Sequence, residues 1–196
     1  MKSNLSEITE VIQKEIKNHI DLTKSTLKAV PQIAEISCVM AKALRQSGTI
    51  YLCGNGGSAA DCQHIAAELV GRFQLNGNAI RAIALTTDTS ILTSIANDFG
   101  YHYVFTRQLE AFLCPQDILM VLSTSGNSVN IVEALKFART KDVTTIAFLG
   151  VRGGDALSHS DYSLIIPSNE TSKIQEMHIM IGHILCQILE AEFRNA

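Results

Sequence analysis

Four hydroxyl residues in one short loop are the first feature of this chain that could do chemistry. Ser123, Thr124, Ser125 and Ser128 lie where a strongly apolar run gives way to a helix-like stretch. Hydroxyl groups at a helix N-terminus bind anions, and open α/β sheets bind ligands beyond the carboxyl ends of their strands. The loop contains no Lys or Arg. It suits a single phosphomonoester on a small molecule, although Ser and Thr are also ordinary turn and capping residues.

A second loop, Cys53 to Ser58, also follows an apolar run and is rich in glycine. Gly56 and Gly57 permit close approach of the backbone to a ligand, and Ser58 could either cap the following helix or donate to a bound oxygen. The loop lacks both the GxGxxG order of a dinucleotide site and the lysine ending of a P-loop. By itself it is a weak signal.

His64 and Glu68 are four residues apart in the helix-like stretch after this glycine loop. Side chains at that spacing share one helix face. An imidazole and a carboxylate placed there can share a divalent metal, with zinc favoured by the ligand types, or exchange a proton with a substrate. The alternative is a surface hydrogen bond between the two side chains, but their position next to the glycine loop favours the functional interpretation.

Two further candidates, Gln175 and His183, lie in a largely apolar stretch near the end of the chain. Their spacing separates their backbones by roughly 12 Å along a helix. Both could contribute to one site only through long reaches, or if they came from different protomers. Near the second apolar run, Asp98 could accept hydrogen bonds from sugar hydroxyls, whereas Asp88 is predicted to cap a helix.

The elements that must position these residues follow from hydrophobic periodicity. Apolar residues three or four apart predict an amphipathic helix over the first thirty residues. Pro31 is predicted to end it and to start a second helix, which stops near Gly48. Short apolar runs then alternate with helix-like stretches, which is typical of parallel strands joined by crossover helices. The predicted strands are Thr49 to Cys53, Ala82 to Leu85, Ile118 to Leu122, Thr144 to Leu149 and Ser163 to Ile166. The predicted crossover helices are Ala59 to Val70, Ser90 to Asn97, Tyr103 to Leu113 and Asn130 to Thr140.

This pattern predicts an α/β fold with a doubly wound, mainly parallel five-stranded sheet, two N-terminal helices and a long C-terminal helix. We expect a single domain over 1–196, with the helical pair in 1–48 and the α/β core and last helix in 49–196. The last helix, about Ser172 to Phe193, is apolar on nearly all sides. Such a helix is usually buried, and we expect a subunit interface there.

Composition limits the classes of partner. The chain has 196 residues and a formal charge of -3, so it offers no positive field for nucleic acid or a membrane surface. Its five cysteines include no CxxC pair and no apolar leader precedes them, which indicates reduced thiols in the cytoplasm. The longest strongly apolar stretch, Ile179 to Leu189, falls short of the roughly twenty residues that a membrane span needs.

Taken together, these segments resemble the sugar-isomerase (SIS) domain family and, within it, the phosphoheptose isomerases. The resemblance covers nearly the whole chain and rests on CGNGGSAADCQHIAAEL, LTTDTSILTSIANDFGY, LSTSGNS, GVRGG and KIQEMH, followed by His183. It implies that Asn55, Gly56, Gly57, Ser58, Asn97 and Asp98 contact substrate and that Ser123, Thr124, Ser125 and Ser128 hold its phosphate. Glu68 and Gln175 are implied in both substrate and metal binding, and His64, Glu68, Gln175 and His183 are implied to bind one zinc ion.

The resemblance also implies an activity. Family members interconvert sedoheptulose 7-phosphate and D-glycero-D-manno-heptose 7-phosphate through an enediol or enediolate, the first step of bacterial heptose-nucleotide biosynthesis. Glu68 would be the base and His183 the acid, in a homotetramer whose sites are shared between subunits. An acidic residue that some members carry three positions before the Gln is Ser172 here. The alternative is a non-enzymatic relative that binds the bacterial replication initiator; such relatives lack the catalytic Glu and His, which this chain has.

Overall fold

The structure of the chain is a computed structural model that describes residues 4–194. Its centre is one five-stranded sheet with the order β2-β1-β3-β4-β5, in which all neighbouring strands are parallel. The strands are β1 (Ile50–Gly54), β2 (Ala82–Ala84), β3 (Ile118–Ser123), β4 (Thr144–Leu149) and β5 (Tyr162–Ile165). The helices are α1 (Leu5–Thr26), α2 (Val30–Arg45), α3 (Gly57–Val70), α4 (Thr89–Phe99), α5 (Thr106–Phe112), α6 (Val129–Arg139), α7 (Gly154–Ser158) and α8 (Thr171–Phe193).

The predicted doubly wound sheet is therefore confirmed, with strand bounds within one or two residues of the predicted ones. β1 and β3 are buried along their whole length because helices cover both faces of the sheet. From β1 the chain first adds β2 on one side and then places β3 on the other. This reversal is the point at which open α/β sheets form a ligand crevice.

The boundary between the first two helices differs from the prediction. α1 ends at Thr26, a single 3-10 turn occupies Leu27–Ala29, and Pro31 lies in the first turn of α2. Proline is tolerated there because the first turn of a helix has no acceptor for its missing N–H. Pro31 therefore lies at the start of the second helix, as predicted, whereas the first helix ends at Thr26, before the predicted residue 30.

The apolar surface of α8 packs mainly inside the chain, whereas a subunit interface was expected. Met177, Ile181 and Leu185 are buried against the sheet and α3, while Ile184 and Ile188 remain 38% and 39% exposed. α8 is therefore a core helix of this chain, and the subunit interface expected along it stays a prediction. No helix among residues 4–194 is long and apolar enough to cross a membrane.

A buried ion pair holds the last turn of α8 against the loop that follows α3. Glu190 accepts hydrogen bonds from the backbone N–H groups of Phe73, Gln74 and Leu75 at 3.0, 2.7 and 2.8 Å. Arg194 pairs with Glu190 and donates to the carbonyl oxygens of Leu69, Leu75 and Asn78. We call this pair the C-terminal clamp.

Burial alone would raise the pKa of Glu190, but the three backbone N–H groups and Arg194 outweigh it and lower the pKa. A carboxyl group whose pKa is lower in the folded state stabilises the fold above its unfolded pKa. Glu190 therefore contributes fully to the free energy of unfolding at a pH above the ordinary carboxyl pKa. This contribution is lost as the pH falls through the lowered pKa of the folded state.

Replacing Arg194 by Met should lower the free energy of unfolding by about 3–5 kcal/mol, because the substitution leaves the Glu190 carboxylate buried without its partner. Arg45→Met is the matched control. Arg45 of α2 pairs with Glu192, which lies in α8 like Glu190, but the Arg45 side chain is 62% exposed. Its expected cost is within about 1 kcal/mol. Urea denaturation at neutral pH measures both, and equal costs would contradict the clamp.

Candidate active site

The pairing of β1 with β3 brings the glycine loop and the hydroxyl loop together. Gly54, the last residue of β1, is in register with Leu122 of β3, so the two loops leave the sheet side by side. Between them lies a pocket of about 300 Å³. Its lining residues are Asn55, Gly56, Gly57, Ser58, Leu122, Ser123, Thr124, Ser125, Ser128, Thr171 and Gln175. Nine of the twelve predicted substrate-binding residues thus line one pocket, and Glu68, Asn97 and Asp98 are not among its lining residues.

The hydroxyl loop is fixed by its own hydroxyl groups. Ser123 Oγ accepts the backbone N–H of Gly126 at 3.1 Å, and Ser125 Oγ accepts that of Asn127 at 3.1 Å. Gly126 has a φ of +67°, and a Cβ there would lie 1.8 Å from the carbonyl oxygen of Gly153. Both hydroxyl oxygens act as acceptors within the loop, so their hydrogens remain available to donate to an anion.

Ser128 stands at the N-cap of α6 without capping it. Its side chain makes no hydrogen bond to the first turn of the helix. The unpaired backbone N–H groups of that turn and the positive end of the helix dipole favour an anion at this point. A phosphate group in the pocket would meet neutral donors and a helix terminus, and no Lys or Arg side chain lines it.

The glycine loop places the start of α3 against the last helix. α3 begins at Gly57, so Ser58 is a buried residue of its first turn and is not the cap that the sequence allowed. Gln175 Nε2 donates to Ser58 Oγ at 3.5 Å, and a Cβ on Gly57 would lie 2.6 Å from the same nitrogen. Glycine at position 57 is what lets the Gln175 amide reach this end of the pocket.

One turn further along α3, side chains of α3 and α8 converge. His64 Nε2 lies 2.8 Å from His183 Nε2 and 3.4 Å from Glu68 Oε1. The His64 side chain is 49% exposed and that of Glu68 is 22% exposed. These three side chains of a single chain therefore converge, and the sharing of the site between subunits stays a prediction. Gln175 contacts Ser58 instead, two turns earlier on α8.

These donor types suit zinc, which binds imidazole nitrogen and carboxylate oxygen. The arrangement is not a closed metal cage: within residues 4–194, no cluster of three or more His, Cys, Asp or Glu side chains meets the spacing of a metal site. The imidazole nitrogens of His64 and His183 nevertheless lie 2.8 Å apart, so two candidate metal ligands from α3 and α8 are close together.

Sequence reasoning missed two neighbours of this histidine pair. The Phe73 ring stacks on the His183 ring, with centroids 5.4 Å apart and an interplanar angle of 18°. The C-terminal clamp holds the loop that carries Phe73. In α3, Asp61 Oδ2 is buried without a hydrogen-bond partner, and burial raises the pKa of its carboxyl despite the attraction of His64. Neither the position of Phe73 nor the burial of Asp61 could be predicted from the sequence, because the first depends on how a loop packs and the second on which face of α3 is covered.

Asn97 and Asp98 do not join the pocket in this structure. Both are exposed near the end of α4, where Asn97 Nδ2 donates to Asp98 Oδ1 at 2.7 Å. The predicted cap is present, because Asp88 Oδ1 accepts the backbone N–H of Ile91 at 2.9 Å. The aspartate that was predicted to cap a helix does so, and the substrate contacts of Asn97 and Asp98 stay a prediction.

Comparison with known proteins gives a family. Residues 5–150 match the SIS domain family. The phosphoheptose isomerase of Clostridium acetobutylicum is 49% identical over 184 residues, which cover 92% of this chain and 94% of that protein. That of Akkermansia muciniphila is 46% identical over 94% of this chain and 98% of that protein.

Solved structures agree with the fold. The phosphoheptose isomerase of Neisseria gonorrhoeae superposes with a TM-score of 0.89 at 38% identity, covering 94% of this chain and 99% of that one. The Francisella tularensis enzyme gives a TM-score of 0.90 at 33% identity, over 93% and 98% of the two chains. The five-stranded parallel sheet and the long last helix are thus shared with both.

Ser125→Ala should weaken the binding of inorganic phosphate about tenfold or more, because a hydrogen bond to a charged group is worth about 1.5–3 kcal/mol. Ser160→Ala is the control, since that hydroxyl lies before β5, at the opposite edge of the sheet, and contacts the Leu157 carbonyl. Titration followed by phosphorus NMR measures both dissociation constants. Unchanged affinity in Ser125→Ala would remove the hydroxyl loop as the phosphate site.

Proposed function

The chain belongs to the SIS domain family and, within it, to the phosphoheptose isomerases, and we propose that it uses the pocket between β1 and β3 to interconvert sedoheptulose 7-phosphate and D-glycero-D-manno-heptose 7-phosphate. It is an aldose-ketose isomerase. The observation that supports the assignment of the site is the convergence of a hydroxyl-lined pocket with a His and Glu pair at one edge of the sheet.

The charge of the pocket suits a substrate with one phosphate. Serine and threonine hydroxyls and the N-terminus of α6 bind an anion without a cationic side chain. A substrate with several phosphates would carry more charge than such neutral donors can balance. With its phosphate among Ser123, Thr124, Ser125 and Ser128, a seven-carbon sugar would extend its other end along α3, toward His64 and Glu68.

The reaction moves one proton between C1 and C2 and a second between the two oxygens. We assign Glu68 as the base, whose carboxylate removes the proton from C1 of the ketose and returns it at C2. We assign His183 as the acid, whose imidazole exchanges a proton with the substrate oxygens. Phe73 stacks on the His183 ring, and this contact would restrict the rotation of the ring.

We also propose that His64, Glu68, Gln175 and His183 bind one zinc ion. The donor types and the approach of the His64 and His183 nitrogens support this set. When bound, zinc would polarise the substrate carbonyl or hold the site together. A carboxylate that binds zinc is a poorer base, so the two roles of Glu68 compete. Gln175 is half-buried beside Gly57 and would have to turn from Ser58 to take part.

A homotetramer in the cytoplasm completes the proposal. The apolar stripe of α1 has no partner in the described chain, with Leu5 77%, Ile12 53% and Ile16 58% exposed. A large exposed apolar stripe marks an interaction surface, and further subunits would cover it and complete the site. The five cysteines are free thiols, three of them buried, which suits a reducing compartment.

Glu68→Gln and His183→Ala should each lower kcat by at least about 10²-fold to 10⁴-fold, the usual contribution of a positioned acid or base. Glu133→Gln is the control, because Glu133 pairs with Lys136 on the exposed side of α6. Turnover of sedoheptulose 7-phosphate is measured with each purified variant. A wild-type protein that does not turn over this ketose but binds a replication initiator would overturn the enzyme in favour of the non-enzymatic alternative.

Elemental analysis of the purified protein should find one zinc per site, and His64→Ala should lose most of it because the set then keeps only three donors. His159→Ala is the control, since His159 ends α7 and lies outside the pocket lining. A His64→Ala variant that retains one metal per site would remove His64 from the ligand set. Metal-free wild-type protein with full turnover would remove zinc altogether.

A further inference from the structure

Two side chains outside the predicted site, those of Asn130 and Tyr101, form a hydrogen-bonded group with Asn55. Asn55 Nδ2 donates to Asn130 Oδ1 at 2.9 Å, and Asn130 Nδ2 donates back to Asn55 Oδ1 at 2.9 Å. The Tyr101 hydroxyl donates to the same Asn55 Oδ1 at 3.2 Å. Asn130 is 3% exposed in the first turn of α6, and Tyr101 lies just after α4.

The hydrogen-bonding capacity of the Asn55 amide decides what it can offer a ligand. An amide oxygen has two acceptor sites and an amide nitrogen has two N–H donors. Both acceptor sites of Asn55 Oδ1 are taken, by Asn130 and by Tyr101. One N–H of Asn55 is used by Asn130, and the second has no acceptor among the described residues. Since Asn55 lines the pocket, that second N–H is what it presents there.

The reciprocal pair alone would not fix this orientation. If both amides turned over together, the pair would keep its two hydrogen bonds, but Asn55 would then present an oxygen to the pocket. Tyr101 breaks this symmetry because a phenol hydroxyl is a better donor than acceptor. Its hydroxyl therefore favours the orientation in which Asn55 Oδ1 faces Tyr101.

We propose that Asn130 and Tyr101 are positioning residues that hold Asn55 as an obligate hydrogen-bond donor to a substrate oxygen between the glycine loop and the phosphate site. This inference rests on the proposed function for the identity of the substrate. The oxygen it selects is an acceptor, either the carbonyl oxygen or a hydroxyl oxygen of the sugar. The group also ties the first turn of α6, which holds phosphate, to the loop that binds the carbon chain.

The test is a double-mutant cycle with Asn55→Ala. Asn130→Asp keeps the shape of the side chain but cannot donate to Asn55, and Tyr101→Phe removes only a hydroxyl from an exposed ring. Each should lower kcat/KM about threefold to tenfold, the range expected for one neutral hydrogen bond. In the Asn55→Ala background each should add less than about twofold, because a residue that acts through Asn55 has no effect once that amide is gone.

Tyr103→Phe is the matched control. Tyr103 is 39% exposed near Tyr101, and its hydroxyl makes no hydrogen bond within the described chain. It should leave kcat/KM unchanged. Thermal unfolding of every variant identifies any loss of fold, and Tyr101→Phe keeps the test valid if Asn130→Asp does not fold.

Additive losses in the Asn55→Ala background would overturn the proposal, and so would unchanged kcat/KM in both Asn130→Asp and Tyr101→Phe. The same cycle is then measured in a Glu68→Gln background as the Kd of sedoheptulose 7-phosphate, by calorimetry. If the effects of the substitutions on Kd depend on Asn55 but the wild-type protein does not turn over this ketose, the positioning of Asn55 is supported and the proposed function is contradicted. Absence of both turnover and binding would overturn both proposals.

Discussion

The parallel pairing of β1 with β3 is the constraint on which the site depends. It sets Gly54 opposite Leu122, so the backbone turns out of both strands at the same level of the sheet. A slip of one residue in this register would turn the side chains of β3 to the other face and move the hydroxyl loop away from the glycine loop. The buried apolar residues of both strands exclude that slip, so the core of the protein fixes the distance between its two loops.

The second constraint is the packing of α8 across α3. Met177, Ile181 and Leu185 bury one face of α8, which leaves Gln175 and His183 on the side that meets α3. Gln175 meets the first turn of α3 and His183 meets His64 one to two turns later. Two helices that run alongside each other therefore bring Gln175 and His183 against α3 without long reaches. The C-terminal clamp then ties the far ends of both helices together.

Much of this arrangement could be predicted from sequence because it depends on local patterns. Short apolar runs predicted the positions of the strands, and the hydroxyl and glycine loops at the ends of two strands indicated a ligand site. The predicted end of α1 was wrong because the residues of the 3-10 turn, Leu27–Ala29, have the same composition as a helix. The burial of α8 within its own chain was missed because an apolar helix has the same pattern whether its own sheet or another subunit covers it.

Contacts between distant side chains could not be predicted. The Asn55 and Asn130 pair, the stacking of Phe73 on His183 and the capture of three N–H groups by Glu190 join residues 75, 110 and about 116 positions apart in the chain. Asparagine in the first turn of a helix is ordinary, and one phenylalanine in a polar loop carries no pattern. Only the packed fold shows that these residues surround the site.

The central claim is that this pocket moves a proton between C1 and C2 of a ketose phosphate. Incubation of the protein with sedoheptulose 7-phosphate in heavy water, followed by NMR, tests it most directly. Deuterium should enter C2 of the heptose 7-phosphate formed, and Glu68→Gln should stop this incorporation. A product that still carries only hydrogen at C2 after repeated interconversion, or deuterium incorporation that persists in Glu68→Gln, would contradict it.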